Sequence, residues 1–212
     1  MNLQNYYYYF QSALTPRFCD ELIKYGIAQQ EQTAFTGGQT EKLKNNKELS
    51  DEDLKDLKKK RDSNIVWLSE RWIYKEIQPF IHQANKLANW NFDWDWSEPC
   101  QFTKYKLNQF YDWHCDSWEK PYDDSKDLNT YKKIRKLSVT CSLSNPEDYE
   151  GGELEFDFRN NDPDKPTVRK CAEISPRGSI VVFPSHVWHR VKPVTKGTRY
   201  SLVIWNLGFP FK

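Results

Sequence analysis

The sequence predicts a mainly β protein, a sandwich or jelly roll with helices packed on one sheet. Three observations lead there. From Cys100 onward the apolar stretches are short, and turn residues interrupt them: Asn145-Pro146, Gly151-Gly152, Asn160-Asn161-Asp162-Pro163, Pro176-Arg177-Gly178 and Lys196-Gly197. About eight strands at that spacing suit a sandwich or jelly roll. Helical patterns precede residue 100 and strands follow it, so the helices buttress a sheet. Finally, 212 residues suffice for one sizeable core and are few enough for one domain. The expected division is helical support over 1–99 and a β core over 100–212.

In chain order, residues 6–10 form a tyrosine-rich run read as a strand. Thr15-Pro16 opens a helix, because Thr15 is a good N-cap and Pro16 suits the first helical position. Phe18, Cys19, Leu22 and Ile23 fall at helical spacing; Gly26 is a candidate stop, with Gln30 as the outer limit. A charged insertion follows near 37–62. In it Ser50 caps a short helix with Asp51, Glu52 and Asp53 in the first turn, and its apolar residues are Leu54 and Leu57. It reads as a solvated surface helix rather than a basic binding patch. Residues 63–68 read as a strand. Residues 70–89 read as a long helix with Trp72, Ile73, Ile77, Phe80, Ile81, Ala84 and Leu87 on its apolar face, which Pro79 should kink or split. His82, beside that face, reads as a surface or capping residue. Residues 90–96 alternate aromatic and polar side chains, a strand signature. The later strands are expected at 101–106, 111–116, 136–143, 153–158, 170–174, 179–183, 188–192 and 199–207.

Composition excludes several classes. Lys+Arg 31 against Asp+Glu 30 leaves +1, so no net field favours nucleic acid or an acidic membrane. A mean hydropathy of −0.89 beside 16% aromatic residues implies a core of few but large side chains. No apolar run approaches the roughly 18 residues of a membrane span. The N-terminus lacks a basic region followed by an apolar one, so no secretory signal is expected. Five scattered cysteines without a Cys-x-x-Cys pair suit reduced thiols in the cytoplasm, and argue against a cysteine-type zinc site.

The chemistry concentrates in two distant stretches. Residues 111–116 carry His114-x-Asp116; residues 185–201 carry His189, then Arg199 and Ser201. On a strand, residues i and i+2 share a face, so His114 and Asp116 point into one cavity while Cys115 points the other way, into the core. With His189 they make two imidazoles and one carboxylate, the ligand set of non-haem Fe(II) sites with open positions. His186 is the rival of His189; the spacing to Arg199 favours His189 and leaves His186 as a loop residue near the mouth. Pro193 and Gly197 bracket the turn of a hairpin that His189 begins, and Arg199 starts the returning strand. Arg199 and Ser201 share a face. Arg suits planar, bidentate recognition of a carboxylate, and a hydroxyl adds a further hydrogen bond. A metal with open positions and a buried Arg along the same wall fit a dicarboxylate. Arg190 should face away from the cavity. Trp113, Trp188 and Trp205 are expected in the core, the first two close enough to the ligands to shape the pocket.

Four pieces, in this order, resemble the prolyl 4-hydroxylase-type branch of the Fe(II)/2-oxoglutarate-dependent dioxygenases. They are residues 105–116, residues 137–144, Tyr149-Glu150-Gly151-Gly152-Glu153-Leu154, and residues 189–202. The resemblance is close over roughly 100–208 and looser over 6–91. It implies a double-stranded β-helix (jelly roll) with Fe(II) held by His114, Asp116 and His189. It implies 2-oxoglutarate on the iron, its far carboxylate on Arg199, assisted by Ser201 and Tyr105. The implied reaction uses O2, with ascorbate as an accessory, to turn 2-oxoglutarate into succinate and CO2 while hydroxylating a C–H bond. A prolyl residue in a peptide or protein is the first substrate implied. Two positions depart from the pattern: Arg199 stands where many members carry Lys, as in bacterial and viral hydroxylases, and Asn108 stands where Gly is common, so the loop there is expected to differ.

Alternative readings are an oxygenase acting on a free amino acid, small metabolite or nucleobase, and a jelly-roll binding protein without catalysis. The neutral charge argues against nucleic acid. Residues 117–133 are polar, contain Pro121, Tyr122 and Tyr131, and read as a loop over the mouth that gates entry.

Overall fold

The computed structural model describes residues 5–36, 48–117, 120–159 and 167–211. Among these the chain runs β1 (Tyr8–Phe10), α1 (Pro16–Ile27), β2 (Gln32–Thr33), α2 (Asp51–Lys60), β3 (Arg61–Asp62), β4 (Asn64–Leu68), α3 (Arg71–Leu87), β5 (Trp96–Ser97), β6 (Cys100–Tyr105), β7 (Phe110–His114) and β8 (Ile134–Ser142). It continues through β9 (Tyr149–Gly151), β10 (Leu154–Asp157), β11 (Val168–Lys170), β12 (Ile180–Pro184), β13 (Trp188–Val191), β14 (Val194–Gly197) and β15 (Arg199–Gly208). The large sheet has the order β1-β12-β8-β15-β6-β4-β2, with β5 on β15; the smaller has the order β11-β10-β13-β7-β3. All the pairings are antiparallel. This is the mainly β architecture with helices on one sheet that the sequence predicts, and it is consistent with a double-stranded β-helix.

Period-two alternation in the large sheet sets the layers. In β8, Leu137, Val139 and Cys141 join a core with Phe18 and Leu22 of α1 and Ile73, Ile77, Ile81 and Ala84 of α3. Phe102, Leu202, Ile204, Ile180 and Val182 extend that core across the sheet. The opposite face carries Ser138, Thr140 and Ser142 of β8, Thr103 and Tyr105 of β6, and Arg199 and Ser201 of β15. A second, smaller core fills the space between the sheets, with Tyr105, Leu154, Phe156, Val181, Phe183 and Val191. One face of the large sheet is therefore oily and helix-covered, and the other lines a polar-walled interior.

Local signals account for the helices. The Thr15 hydroxyl accepts from the Phe18 N–H at 3.2 Å, and Ser50 with Asp53 forms a reciprocal capping box on α2. Gly26 is not a stop: it lies inside α1, where a Cβ would come within 2.6 Å of the Phe102 ring. Its role is close helix–sheet approach. Pro79 does not split α3, which runs continuously; Pro79 is exposed, so water can take up the carbonyl that its missing N–H leaves unpaired.

Other expectations are corrected. Residues 90–96 do not pair as a strand except at Trp96. The alternation is nonetheless real in burial, since Trp90 and Phe92 are buried while Asn91, Asp93 and Asp95 are exposed. Left-handed Asn89 and Asn91 break the extended run, and the Asn85 side chain takes up the Phe92 backbone. The strand expected at 170–174 is instead β11 followed by a 3-10 turn, Ala172–Ile174. Strands from the first half of the chain also enter both sheets: β1, β2 and β4 the large one, β3 the small one. Of the charged stretch near 37–62, residues 37–47 lie outside the described residues. Its helix α2 is solvated over most of its surface as expected, but it also packs on β3 and β7 through Leu57, which is 1% exposed. Leu57→Ala is expected to cost about 2–5 kcal/mol, as other buried leucine truncations do. A denaturant midpoint unchanged at constant slope would show α2 to be undocked in solution.

Candidate metal centre and cavity

β7 and β13 are neighbours in the small sheet, and their register sets His114 opposite His189. The next pair is Val191 with Tyr111, so two residues of β7, Asp112 and Trp113, oppose the single Arg190 of β13. This bulge turns Tyr111 and His114 onto the same side, although they are three apart. Their rings stack at 3.5 Å between centroids, and the His114 and His189 rings lie 4.1 Å apart. β7 ends at His114, so Asp116 does not share a strand face with it as expected. It sits in a bend whose backbone N–H donates to Ser185 O at 2.9 Å, and that bond brings the carboxylate back over the imidazoles.

The ligand-capable atoms of His114, Asp116 and His189 all lie within 4.8 Å of one another. His114 Nε2 is 3.7 Å from Asp116 Oδ1, and His189 Nε2 is 3.5 Å from Oδ2. Each Nδ1 faces a backbone carbonyl, of Asp112 at 2.8 Å and Val187 at 2.9 Å. A carbonyl only accepts, so each Nδ1 carries a proton and each Nε2 is turned toward the cluster. Burial, reinforced by His189, holds the His114 pKa down to about 3, which keeps its imidazole neutral. Burial alone would raise Asp116; the pull of His189, His114 and Arg135 outweighs it and holds the carboxyl below its ordinary value. Imidazole nitrogens and a carboxylate are a donor set that suits Fe(II).

Two hydroxyls support the carboxylate. Ser138 Oγ donates to Asp116 Oδ2 at 2.7 Å, and because that uses its proton, Ser185 Oγ donates to Ser138 at 2.9 Å. Such partners orient a ligand before metal arrives. The sequence analysis did not single them out, although Ser138-x-Thr140-x-Ser142 alternating with apolar residues was a legible sign of a polar inner wall.

Arg199 and Ser201 lie on the large sheet, where Arg199 pairs with Tyr105 and Ser201 with Thr103. The expected hairpin from His189 is not formed. β13 belongs to the small sheet, β14 pairs with β9, and β15 crosses into the large sheet. Pro193 cannot donate to a ladder and Gly197 has φ +72°, so the chain leaves one sheet for the other. Arg199 is 2% exposed. Its Nη1 donates to Ser201 Oγ at 3.4 Å and its guanidinium lies 5.5 Å from the Tyr105 ring centre. Among the described residues no carboxylate pairs with it. Gly152 makes its room: a Cβ there would come 2.9 Å from Arg199 Cδ. A buried cation without counter-charge calls for an anionic ligand.

His186 is exposed and outside the cluster, as expected for a loop residue. Cys115 is half-buried rather than core, with Sγ 3.7 Å from Ser117 O. Arg190 faces away from the cavity as expected, bound to Glu155 and set over Trp113 at 4.6 Å. Trp113 and Trp188 are half-buried on that outer side rather than core, while Trp205 is buried beneath Arg135, 3.9 Å from its ring centre. Asn108 takes φ +64°, which Asn tolerates well, so the turn forms without Gly. In the loop after Asp116, Tyr122 donates to Glu98 at 2.8 Å, and Glu98 pairs with Arg135. Arg61, which no motif in the sequence marks, lies against Tyr111. No helix among the described residues is long and apolar enough to cross a membrane.

Fold and cluster together define a β-helix oxygenase scaffold. Residues 100–206 match the family model of the 2OG-Fe(II) oxygenase superfamily, and the chain belongs to that family. A PKHD-type hydroxylase of Psychrobacter sp. (strain PRwf-1) is 36% identical over 107 residues, 50% of this chain and 37% of the relative. The PKHD-type hydroxylase YbiX of Escherichia coli O6:K15:H31 is 34% identical over 104 residues, 49% of this chain and 40% of the relative. The chain thus matches well under half the length of these relatives. Among solved structures, the viral collagen prolyl hydroxylase vCPH of Paramecium Bursaria Chlorella virus-1, in its 2OG complex, has a TM-score of 0.63 at 21% identity, covering 97% of both chains. A Pseudomonas putida prolyl-4-hydroxylase has a TM-score of 0.57 at 18% identity, covering 96% of this chain and 92% of that one. These structural likenesses establish the fold.

Proposed function

We propose that this protein is an Fe(II)- and 2-oxoglutarate-dependent dioxygenase that hydroxylates a C–H bond, with a prolyl residue of a peptide or protein as the substrate. One observation carries the reading: a His–Asp–His cluster on the small sheet is accompanied by a buried Arg199 on the large sheet that no described carboxylate pairs with. In this reading His114, Asp116 and His189 hold Fe(II), and Ser138 keeps the carboxylate turned toward it. Arg199, Ser201 and Tyr105 receive the far carboxylate of 2-oxoglutarate. When bound, Fe(II) supplies the one-electron and O2 chemistry that side chains lack. The chain's own part is to hold and orient. Phe156 and Phe183, each at most 1% exposed, wall the site from water, and Arg199 anchors the co-substrate at the end away from the metal.

Peptide substrates are supported by two things. The exposed Trp67, whose ring centre lies 6.1 Å from that of the buried Trp205, offers an aromatic side chain of the kind that extended proline-containing segments dock on. Among proteins of similar fold, a prolyl hydroxylase of Trichoplax adhaerens is seen with a hypoxia inducible factor peptide fragment. Ascorbate as accessory reductant, residues 1–212 as one domain and a cytoplasmic location belong to the same proposal. The test is succinate formation with Fe(II), 2-oxoglutarate, ascorbate and a peptide panel. Proline-containing peptides are expected to raise the rate. Basal turnover indifferent to them would assign another substrate, and no Fe(II)-dependent succinate at all would overturn the oxygenase reading.

A further inference from the structure

Arg61 closes α2 with its backbone N–H on Leu57 O and then enters β3 opposite Tyr111. It is 5% exposed. Its Nε donates to Ser63 Oγ at 3.1 Å and its Nη1 to Phe35 O at 3.4 Å, whereas its Nη2 is buried without a partner. Among the described residues no carboxylate pairs with it. The guanidinium lies 4.4 Å from the centre of the Tyr111 ring, and Tyr111 in turn stacks on His114. Tyr105, which pairs with Arg199 and whose ring centre lies 5.5 Å from the Arg199 guanidinium, also feels the charge of Arg61.

A guanidinium that has lost water on nearly all sides, yet keeps one N–H group unfilled, is an incomplete binding arrangement. The aromatic contact and two hydrogen bonds fix where the open donor points, so a ligand there would meet a pre-set geometry. We infer that Arg61 is a ligand-binding residue of this cavity, its open Nη2 donating to a carboxylate or carbonyl oxygen of the molecule bound beside His114. The inference rests on the oxygenase reading. It also gives the charged helix α2 a purpose, since the capped helix delivers Arg61 to the site. The oxygen has two possible sources, the keto-acid end of 2-oxoglutarate or a carbonyl of the oxidised substrate.

The experiment titrates 2-oxoglutarate into the Mn(II)-loaded protein by calorimetry and measures peptide-stimulated succinate formation, for wild type, Arg61→Ala and Arg61→Lys. Circular dichroism and melting temperature establish that the variants fold. Arg61→Ala is expected to raise at least one constant tenfold or more, with Arg61→Lys recovering part of the loss. A raised 2-oxoglutarate Kd assigns the oxygen to the co-substrate; a raised peptide KM with unchanged Kd assigns it to the substrate. Both constants unchanged in folded Arg61→Ala would overturn the inference. A wild type that binds no 2-oxoglutarate would overturn the oxygenase reading and the inference with it.

Discussion

His189→Ala is expected to abolish turnover while leaving the fold intact. The side chain sits on β13 in the small sheet, with Nδ1 committed to Val187 O and Nε2 facing Asp116. Removing it leaves one imidazole and one carboxylate, too few to hold an exchangeable divalent ion firmly. The fall in metal affinity should exceed the roughly 10–100-fold that removing a mere partner of a ligand costs. Metal titration by calorimetry alongside the succinate assay checks this. His189 contacts Phe183 and His114 in the second core, so a modest loss of stability is expected too. Unchanged metal binding in the folded variant would remove His189 from the ligand set.

Arg199→Ala should separate the two ends of the cavity. The guanidinium is buried, unpaired by any described carboxylate, and seated where Gly152 leaves space. If it receives the far carboxylate of 2-oxoglutarate, truncating it removes one partner of a buried charge-assisted pair, worth about 2–5 kcal/mol. That corresponds to a rise of roughly 30-fold to several-thousand-fold in the 2-oxoglutarate constant. Metal affinity measured without 2-oxoglutarate should be unchanged, because Arg199 lies on the other sheet from His114 and His189. An unchanged 2-oxoglutarate constant would place the carboxylate elsewhere.

Much of the site could be read from one dimension because its residues lie in short motifs with fixed chemistry. His114-x-Asp116, the Gly151-Gly152 turn and the His189 to Ser201 interval are local patterns, and the structure gathers them into one interior. Ser138 was also readable from alternation, since hydroxyls at every second position of a buried strand require a polar wall. Arg61 was not readable. It closes a lysine-rich helix, where composition predicts solvent, and only the pairing of Arg61 with Tyr111 brings its guanidinium indoors. Cys115 went astray because strand parity assumes a continuing ladder, and β7 ends at His114. Trp113 and Trp188 each precede a ligand on their strand, so parity carries them to the outer side, against the burial that their size suggests.

By itself the sequence determined the class of fold, the helix caps at Thr15 and Ser50, and the donor types for a metal and a carboxylate. These depend on local backbone chemistry and on period-two patterning, which act between near neighbours. Tertiary structure alone decided the rest. It set His114 opposite His189, swung Asp116 back through Ser185 O, carried Arg199 to the opposite sheet and buried Arg61 at the cavity wall. Each of those placements is a long-range contact, between paired strands or, for Asp116, between two loops, and such contacts are fixed by how whole faces pack, which no short window of residues contains.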